Sequence, residues 1–227
     1  MPNRLGPIDT LLRERHLLKH PFYVAWSNGE LPLETLRAYA SQYYRFESNF
    51  PRFLGATYAH LDSPADRRVL LENMVDEEGR TPTHPELWLD FARGIGVAPG
   101  AVRDAPPLGG TEGLLDCYER LTRSDATKGL SALYAYESLF PEIAAEKSRG
   151  LRAHYGIRSA RTHEFFRVHT EADVGHSRAE ASILGTLLDR SPAARRAALF
   201  ASRQAIGAWW SFLGQFPLPG AAAGARR

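Results

Sequence analysis

The segment HTEADVGH, residues 169–176, sets His169, Asp173 and His176 at spacings of four and three. An α-helix turns about 100° per residue, so these positions fall within roughly 40° of one another on one face. Such a stripe normally faces the core and carries leucine or valine. Two imidazoles and a carboxylate there offer metal-ligand chemistry in place of packing. His/Asp pairs one turn apart also occur on exposed helix faces, so the triad alone leaves both readings open.

Three further ionisable residues stand where apolar ones are expected. Glu137 lies in LSALYAYESLF, among apolar and aromatic neighbours, and Pro141 follows four residues later. A proline there cannot donate to the carbonyl of Glu137, so the helix should loosen where Glu137 projects. Glu77 ends VLLENMVDEE, and His84 begins the next helix after a short loop containing Gly79. Three histidines and three carboxylates suit two first-row metal ions. Mixed imidazole and carboxylate ligands favour iron or manganese, with positions left open for oxygen. Di-iron bundles usually draw their ligands from Glu-x-x-His pairs. This chain has none, offering instead Glu77-x6-His84 and His169-x3-Asp173-x2-His176. Zinc is a weaker alternative, with one cysteine and no His-Glu-x-x-His motif. Glu47 shares a helix face with Tyr39 and Tyr43; it could be an extra ligand, accept a histidine N–H, or pair with Arg52. It is not counted among the ligands. His16, His60, His154 and His163 are expected at surfaces or near helix ends.

The elements that must position these residues are helices. A 3.6-residue period dominates the chain, and alternating strand patterns are absent. Residues 31–61 read as one long helix kinked at Pro51. The stretch SPADRRVLLENMVDEEG carries a Ser63 cap, Pro64 in the first turn and Gly79 at its end. HPELWLDFARGIG, TEGLLDCYERLT, the run from Ala126 to Tyr155, the run from Ser159 to Leu188, and a last Ser-Pro-initiated helix follow. The expectation is a single all-α domain of about seven or eight helices over residues 1–217, with 218–227 a small, flexible tail.

Bulk composition fits that reading. Of 227 residues, 44% are hydrophobic and 24% charged, with a formal net charge of +2. No lysine/arginine block suggests a nucleic-acid partner. Arg149, Arg152, Arg158 and Arg161 read as a solvated turn or a small-anion site. No run of ~18 apolar residues suggests a membrane span. The single cysteine, Cys117, allows no intrachain disulfide, which points to a reducing, cytoplasmic setting. The adjacent tryptophans of AIGAWWSFL could cap the core or form a homodimer face.

The six candidate ligands together resemble those of the haem-oxygenase-like di-metal oxidases, nearest the chlamydial protein associating with death domains and its bacterial relatives. The likeness runs from HPFY at 20–23 to His176. Thiaminase-II-like (TenA) proteins and the pyrroloquinoline-quinone synthesis protein C belong to the same superfamily, but their typical members lack this metal set. The resemblance implies a haem-oxygenase-like helical bundle. It implies two metal ions, either iron in both sites or a manganese–iron pair, with molecular oxygen and an external reductant as co-substrates. It also implies self-sacrificing synthesis of 4-aminobenzoate, a folate precursor: Tyr23 in HPFYVAW matches the tyrosine that supplies the ring, and Lys147 in PEIAAEKSRGL the lysine that supplies nitrogen. Tyr39, Trp88 and Tyr136 match aromatic residues near the metals in that family. Phe165 stands where the family has a tyrosine, and phenylalanine cannot form a phenoxyl radical.

The implied chemistry is consistent with these residue types. Converting tyrosine to 4-aminobenzoate breaks Cα–Cβ, oxidises Cβ to a carboxylate and replaces the phenol oxygen with nitrogen. Acid–base side chains cannot supply that oxidation. A lysine amine with its pKa lowered by burial can attack an oxidised ring. On their own, Tyr23 and Lys147 would read as a packing residue and a solvated helix lysine. Other readings are a dinuclear oxygenase acting on an external fatty acid or amino acid, a thiaminase-II-like hydrolase using Cys117, and a non-enzymatic interaction protein.

Overall fold

The computed structural model describes residues 5–218; the expected tail falls almost entirely outside them. Among the described residues there are twelve α-helices and no strand. They are α1 (Gly6–Glu14), α2 (Pro21–Ser27), α3 (Leu33–Glu47), α4 (Phe50–Tyr58), α5 (Pro64–Glu78), α6 (His84–Gly94), α7 (Pro99–Asp104), α8 (Gly109–Thr122), α9 (Ala126–Glu137), α10 (Phe140–His154), α11 (Ala160–Leu188) and α12 (Pro192–Gly214). None is long and apolar enough to cross a membrane. The all-α bundle is as expected. The count exceeds seven or eight because short helices, α1, α2 and α7, precede or join the long ones, and because two long helices are broken.

Both breaks have the same cause. The expected helix over 31–61 does not kink at Pro51; α3 stops at Glu47 and α4 restarts at Phe50. Proline cannot donate to the carbonyl four residues back, and its ring would collide with it. The chain therefore leaves the helix ahead of Pro51, which takes the tolerated place in the first turn of α4. Pro141 does the same, ending α9 at Glu137. Each break leaves a glutamate as the last residue of a helix, pointing into the bundle.

Other helix ends follow the sequence signals. Ser63 accepts a hydrogen bond from the Asp66 N–H and starts α5. Thr83 and Glu86 form a reciprocal capping box that fixes the entry of α6, and with it His84. Ser191 caps α12. The core is strongly aromatic: α12 lies along α8 and α9, while α11 runs between α10, α6 and α9. Trp209 is buried and donates to the Tyr118 hydroxyl. Trp210 is half-buried, with its N–H on the Arg15 carbonyl.

One close helix approach bears directly on the site. A Cβ on Gly150 in α10 would meet Trp26 Cδ1 of α2 at 2.8 Å. That absence of a side chain lets the Trp26 indole N–H reach the Lys147 carbonyl at 3.2 Å. It sets the spacing between the helix carrying Tyr23 and the one carrying Lys147. Gly150→Ala should cost about 1–3 kcal/mol through overpacking. Thermal unfolding would show it as a loss of roughly 2–4 °C per kcal/mol. An unchanged melting temperature would mean that α2 and α10 can separate freely.

Candidate metal centre

Five helices bring their polar residues to one buried point. Glu47 ends α3, Glu77 lies near the end of α5, His84 opens α6 and Glu137 ends α9. His169, Asp173 and His176 line one face of α11. Side-chain donor atoms of Glu47, Glu77, His84 and His169 all lie within 4.8 Å of one another, as do those of Glu137, Asp173 and His176. The structure thus brings all six sequence candidates together, in two adjacent groups, and adds Glu47. Glu47 does not pair with Arg52; it is 2% exposed, with its Oε1 3.7 Å from His169 Nε2.

Each histidine ring turns one nitrogen toward the cluster. His169 Nδ1 lies 2.8 Å from the Phe165 carbonyl, so it carries the proton and leaves Nε2 bare. His176 Nε2 lies 3.1 Å from Asp76 Oδ2, which leaves Nδ1 facing Glu137 at 3.5 Å and Asp173 at 3.7 Å. Asp76 is in turn paired with Arg80 at 2.5 Å. These are the backbone and carboxylate partners that orient metal-bound imidazoles. His84 Nδ1 sits 3.0 Å from Glu77 Oε2.

Electrostatically the cluster is incomplete as protein alone. Burial pushes Glu77 well above the usual carboxylate range, and the Glu137 charge adds to it. Burial, with Glu137 and Glu77 close by, lifts Asp173 to about 8. Burial opposes charge on His176, but the Asp173 and Glu137 carboxylates outweigh it and hold the imidazole at about 11. Burial, and then His84, keep His169 well below the ordinary histidine value. Glu47 Oε1, Glu77 Oε2, His84 Nδ1, Glu137 Oε2, both Asp173 oxygens and His176 Nδ1 are buried without a hydrogen-bond partner. Each such atom ordinarily costs about 1–3 kcal/mol. Bare oxygens and imidazole nitrogens converging on one place are the donor set that hard and borderline divalent cations require. The residues fit a pair of metal ions.

Three neighbours escaped the sequence reading. Asp76 supports His176 from behind. Asn73 donates to Glu137 Oε1 at 2.9 Å. Glu180, fully buried, has both oxygens unpartnered in hydrogen-bond geometry, and burial, then the Glu137 charge, push it well above the usual carboxylate range. It continues the α11 stripe four residues after His176, a periodicity visible in the sequence. A cavity of about 360 Å³, bounded by Asp76, Thr81, His84 and Val168, opens from the surface beside the cluster.

An aromatic cage adjoins the cluster, with the Phe140 ring 5.3 Å from that of His169. Lys147 is 1% exposed and its Nζ has no hydrogen-bond partner. Around it stand the rings of Tyr43 at 4.6 Å, Phe140 at 4.8 Å, Tyr39 at 5.1 Å, Tyr23 at 5.4 Å and Trp88 at 5.6 Å. Burial holds this amine well below the usual lysine value, with only the Glu47 charge opposing. The Tyr23 and Tyr39 hydroxyls share a hydrogen bond of 3.0 Å, and Tyr43 pairs closely with Tyr136. Phe165 is wholly buried, its ring 4.1 Å from that of His169. Tyr23, Tyr39 and Trp88 thus surround Lys147 together with Tyr43, and Tyr136 stands behind Tyr43 and Phe140.

The remaining expectations divide. His60 and His154 are exposed, and His16 lies at a helix end. His163, in the first turn of α11, is buried, because Ser148 and the Ile157 carbonyl satisfy both its nitrogens at 2.8 and 2.9 Å. Arg149 and Arg161 are taken up by Glu146 and Asp90. Cys117 is buried and raised by burial, so it makes a poor nucleophile.

Residues 37–210 match the family of iron-containing redox enzymes with a haem-oxygenase-like model. A 4-aminobenzoate synthase of Chlamydia trachomatis is 36% identical over 219 residues, spanning 96% of this chain and 94% of that protein. One from Nitrosomonas europaea is 37% identical, spanning 91% and 87%. Among solved structures, a CADD-like protein of Nostoc punctiforme superposes with a TM-score of 0.77 over 93% of this chain and 94% of that one, at 19% identity, a likeness of fold. A buried, cation-deficient cluster of His, Glu and Asp in a haem-oxygenase-like bundle and a family match over most of the chain lead to one conclusion: this chain belongs to the haem-oxygenase-like iron-containing redox enzymes.

Proposed function

We propose that the chain makes 4-aminobenzoate from itself, with Tyr23 giving the ring and Lys147 the amino nitrogen. The observation that carries the reading is Lys147 Nζ: an unpartnered amine sealed among aromatic rings, 5.4 Å from the Tyr23 ring centre. A solvated helix lysine would carry its charge to water; burial here lowers the pKa well below the usual lysine value and so favours the neutral amine, the nucleophilic form. The relatives named 4-aminobenzoate synthase supply the product.

Glu77, His84, His169, Glu137, Asp173 and His176 would hold two metal ions, iron in both positions or manganese with iron. With molecular oxygen and an external reductant, the pair supplies the oxidising power that no side chain has. The protein's own residues do the rest. Tyr39 holds the Tyr23 hydroxyl at 3.0 Å and so fixes the ring against Lys147. The Trp88 indole donates to the Ala40 carbonyl at 2.7 Å and closes one wall of the cage. Exclusion of water favours the unprotonated form of Nζ and keeps the oxidised ring from being attacked by water in place of the amine. The single Cys117 and the need for a reductant suit a cytoplasmic setting.

The test is an assay without substrate. Apoprotein is loaded anaerobically with ferrous iron, with and without manganese. Oxygen and a reductant are admitted, and 4-aminobenzoate is measured alongside peptide maps covering Tyr23 and Lys147. Product at no more than one per chain, with both residues altered, is the expected result. A preparation holding two metals that leaves both residues intact overturns it. Supporting groups should matter too: Asp76→Asn leaves His176 less firmly oriented and should weaken metal binding about 10–100-fold. Equilibrium titration with Mn(II) reads this, and an unchanged affinity would mean that His176 is held from elsewhere.

A further inference from the structure

The chain repeats a short segment ninety residues apart. Residues 44–51 read YRFESNFP and residues 134–141 read YAYESLFP, with identities at Tyr44/Tyr134, Glu47/Glu137, Ser48/Ser138, Phe50/Phe140 and Pro51/Pro141. The two copies fold alike. Each glutamate ends a helix, each serine follows it, and each phenylalanine opens the next helix ahead of a proline. The backbone bonds correspond one to one: Ser48 N–H to Tyr44 O at 2.9 Å and Ser138 N–H to Tyr134 O at 3.0 Å, then Asn49 N–H to Phe46 O at 3.0 Å and Leu139 N–H to Tyr136 O at 3.1 Å. The copies meet at equivalent residues, with the rings of Phe46 and Tyr136 5.0 Å apart.

The repeat therefore delivers one buried carboxylate to each half of the cluster. Glu137 faces Asp173 and His176, while Glu47 faces Glu77, His84 and His169. Glu47 Oε1 is buried, has no hydrogen-bond partner and lies 3.7 Å from the bare Nε2 of His169. We propose that Glu47 is a metal ligand, the counterpart of Glu137, so that one metal position has four protein side chains and the other three. This deepens the di-metal reading above and rests on it. A four-donor position encloses its ion more fully and fills first; the three-donor position keeps more sites open for oxygen.

The test is a Mn(II) titration of metal-free protein, with free Mn(II) counted by its aqueous electron paramagnetic resonance signal. Wild type should bind two ions in distinct steps. Glu47→Gln keeps the side chain's volume while removing its charge. It should weaken the first step at least ~10-fold and draw the two steps together. Glu47→Asp, which retains the charge on a shorter arm, should fall between. Two distinct, unshifted steps in Glu47→Gln overturn the assignment while leaving the di-metal reading intact. Fewer than two ions on wild type overturn both. Circular dichroism and thermal melting of the metal-free variants guard against misfolding. Removing an unpaired buried carboxylate should leave the melting temperature equal or higher. A variant that melts earlier without metal shows Glu47 bonded within the protein, which also overturns the assignment.

Discussion

Tyr23→Phe should load both metals like wild type and make no detectable 4-aminobenzoate. The substitution keeps the ring and removes one oxygen. Tyr39 loses its 3.0 Å partner and is left with a buried hydroxyl, a cost of about 1–3 kcal/mol. The metal cluster is built from α3, α5, α6, α9 and α11, whereas Tyr23 is on α2, so its ligands are undisturbed. The phenol oxygen is what makes the ring oxidisable, and it leaves from the carbon that the amine must join. A phenylalanine ring offers neither. Metal content by mass spectrometry and product by chromatography, on the same sample, decide the matter. Product at the wild-type level would place the ring source outside the chain or at another tyrosine. Loss of product together with loss of metal would instead make Tyr23 a support for the cluster.

Much of this site can be read directly from residue spacing, and the part that cannot has identifiable physical reasons. The triad on α11 is visible because helical periodicity converts spacing into direction. Glu137 stands out because its neighbours are apolar. Glu47 is harder: its neighbours Arg45, Ser48, Asn49 and Arg52 are polar, so local context suggests a solvated face. Its face shared with Tyr39 and Tyr43 leaves several roles open, and comparison with the second ESxFP segment narrows them. Glu180 sits in HSRAEAS, where a glutamate reads as surface, although it extends the stripe by one more turn. Asp76 acts across α5 and α11, and such pairings depend on how helices pack, which spacing within one helix does not encode. The helix over 31–61 illustrates a different limit. Proline marks a disturbance, but whether the chain kinks or breaks depends on what the freed turn can bury. Here Phe50 fills a place beside Tyr136, at 5.4 Å, and the break is kept.

Lys147→Met should abolish product and at the same time make the protein more stable near neutral pH. The two effects share one cause. In the folded chain burial holds the amine well below its ordinary value, while in the unfolded chain it is protonated below roughly pH 10.4. Over the interval between those values the unfolded state binds the extra proton, and stability rises with pH. Below the unfolded value, neutral pH included, keeping Lys147 buried costs free energy that methionine, of similar length and wholly apolar, does not. The gain should reach at least about 1 kcal/mol, or ~2–4 °C in melting temperature for a chain of this length. It should shrink as the pH is raised toward 10. Metal loading should be unaffected, since Nζ contacts rings, not ligands. A variant less stable than wild type at neutral pH would show that the amine is charged and bonded in the folded state. It could not then act as a nucleophile without first losing that proton. Product from a stable Lys147→Met would require another nitrogen source. An unpaired buried amine weakens the fold of every chain, and the proposed single use of Lys147 gives a chain a reason to carry it.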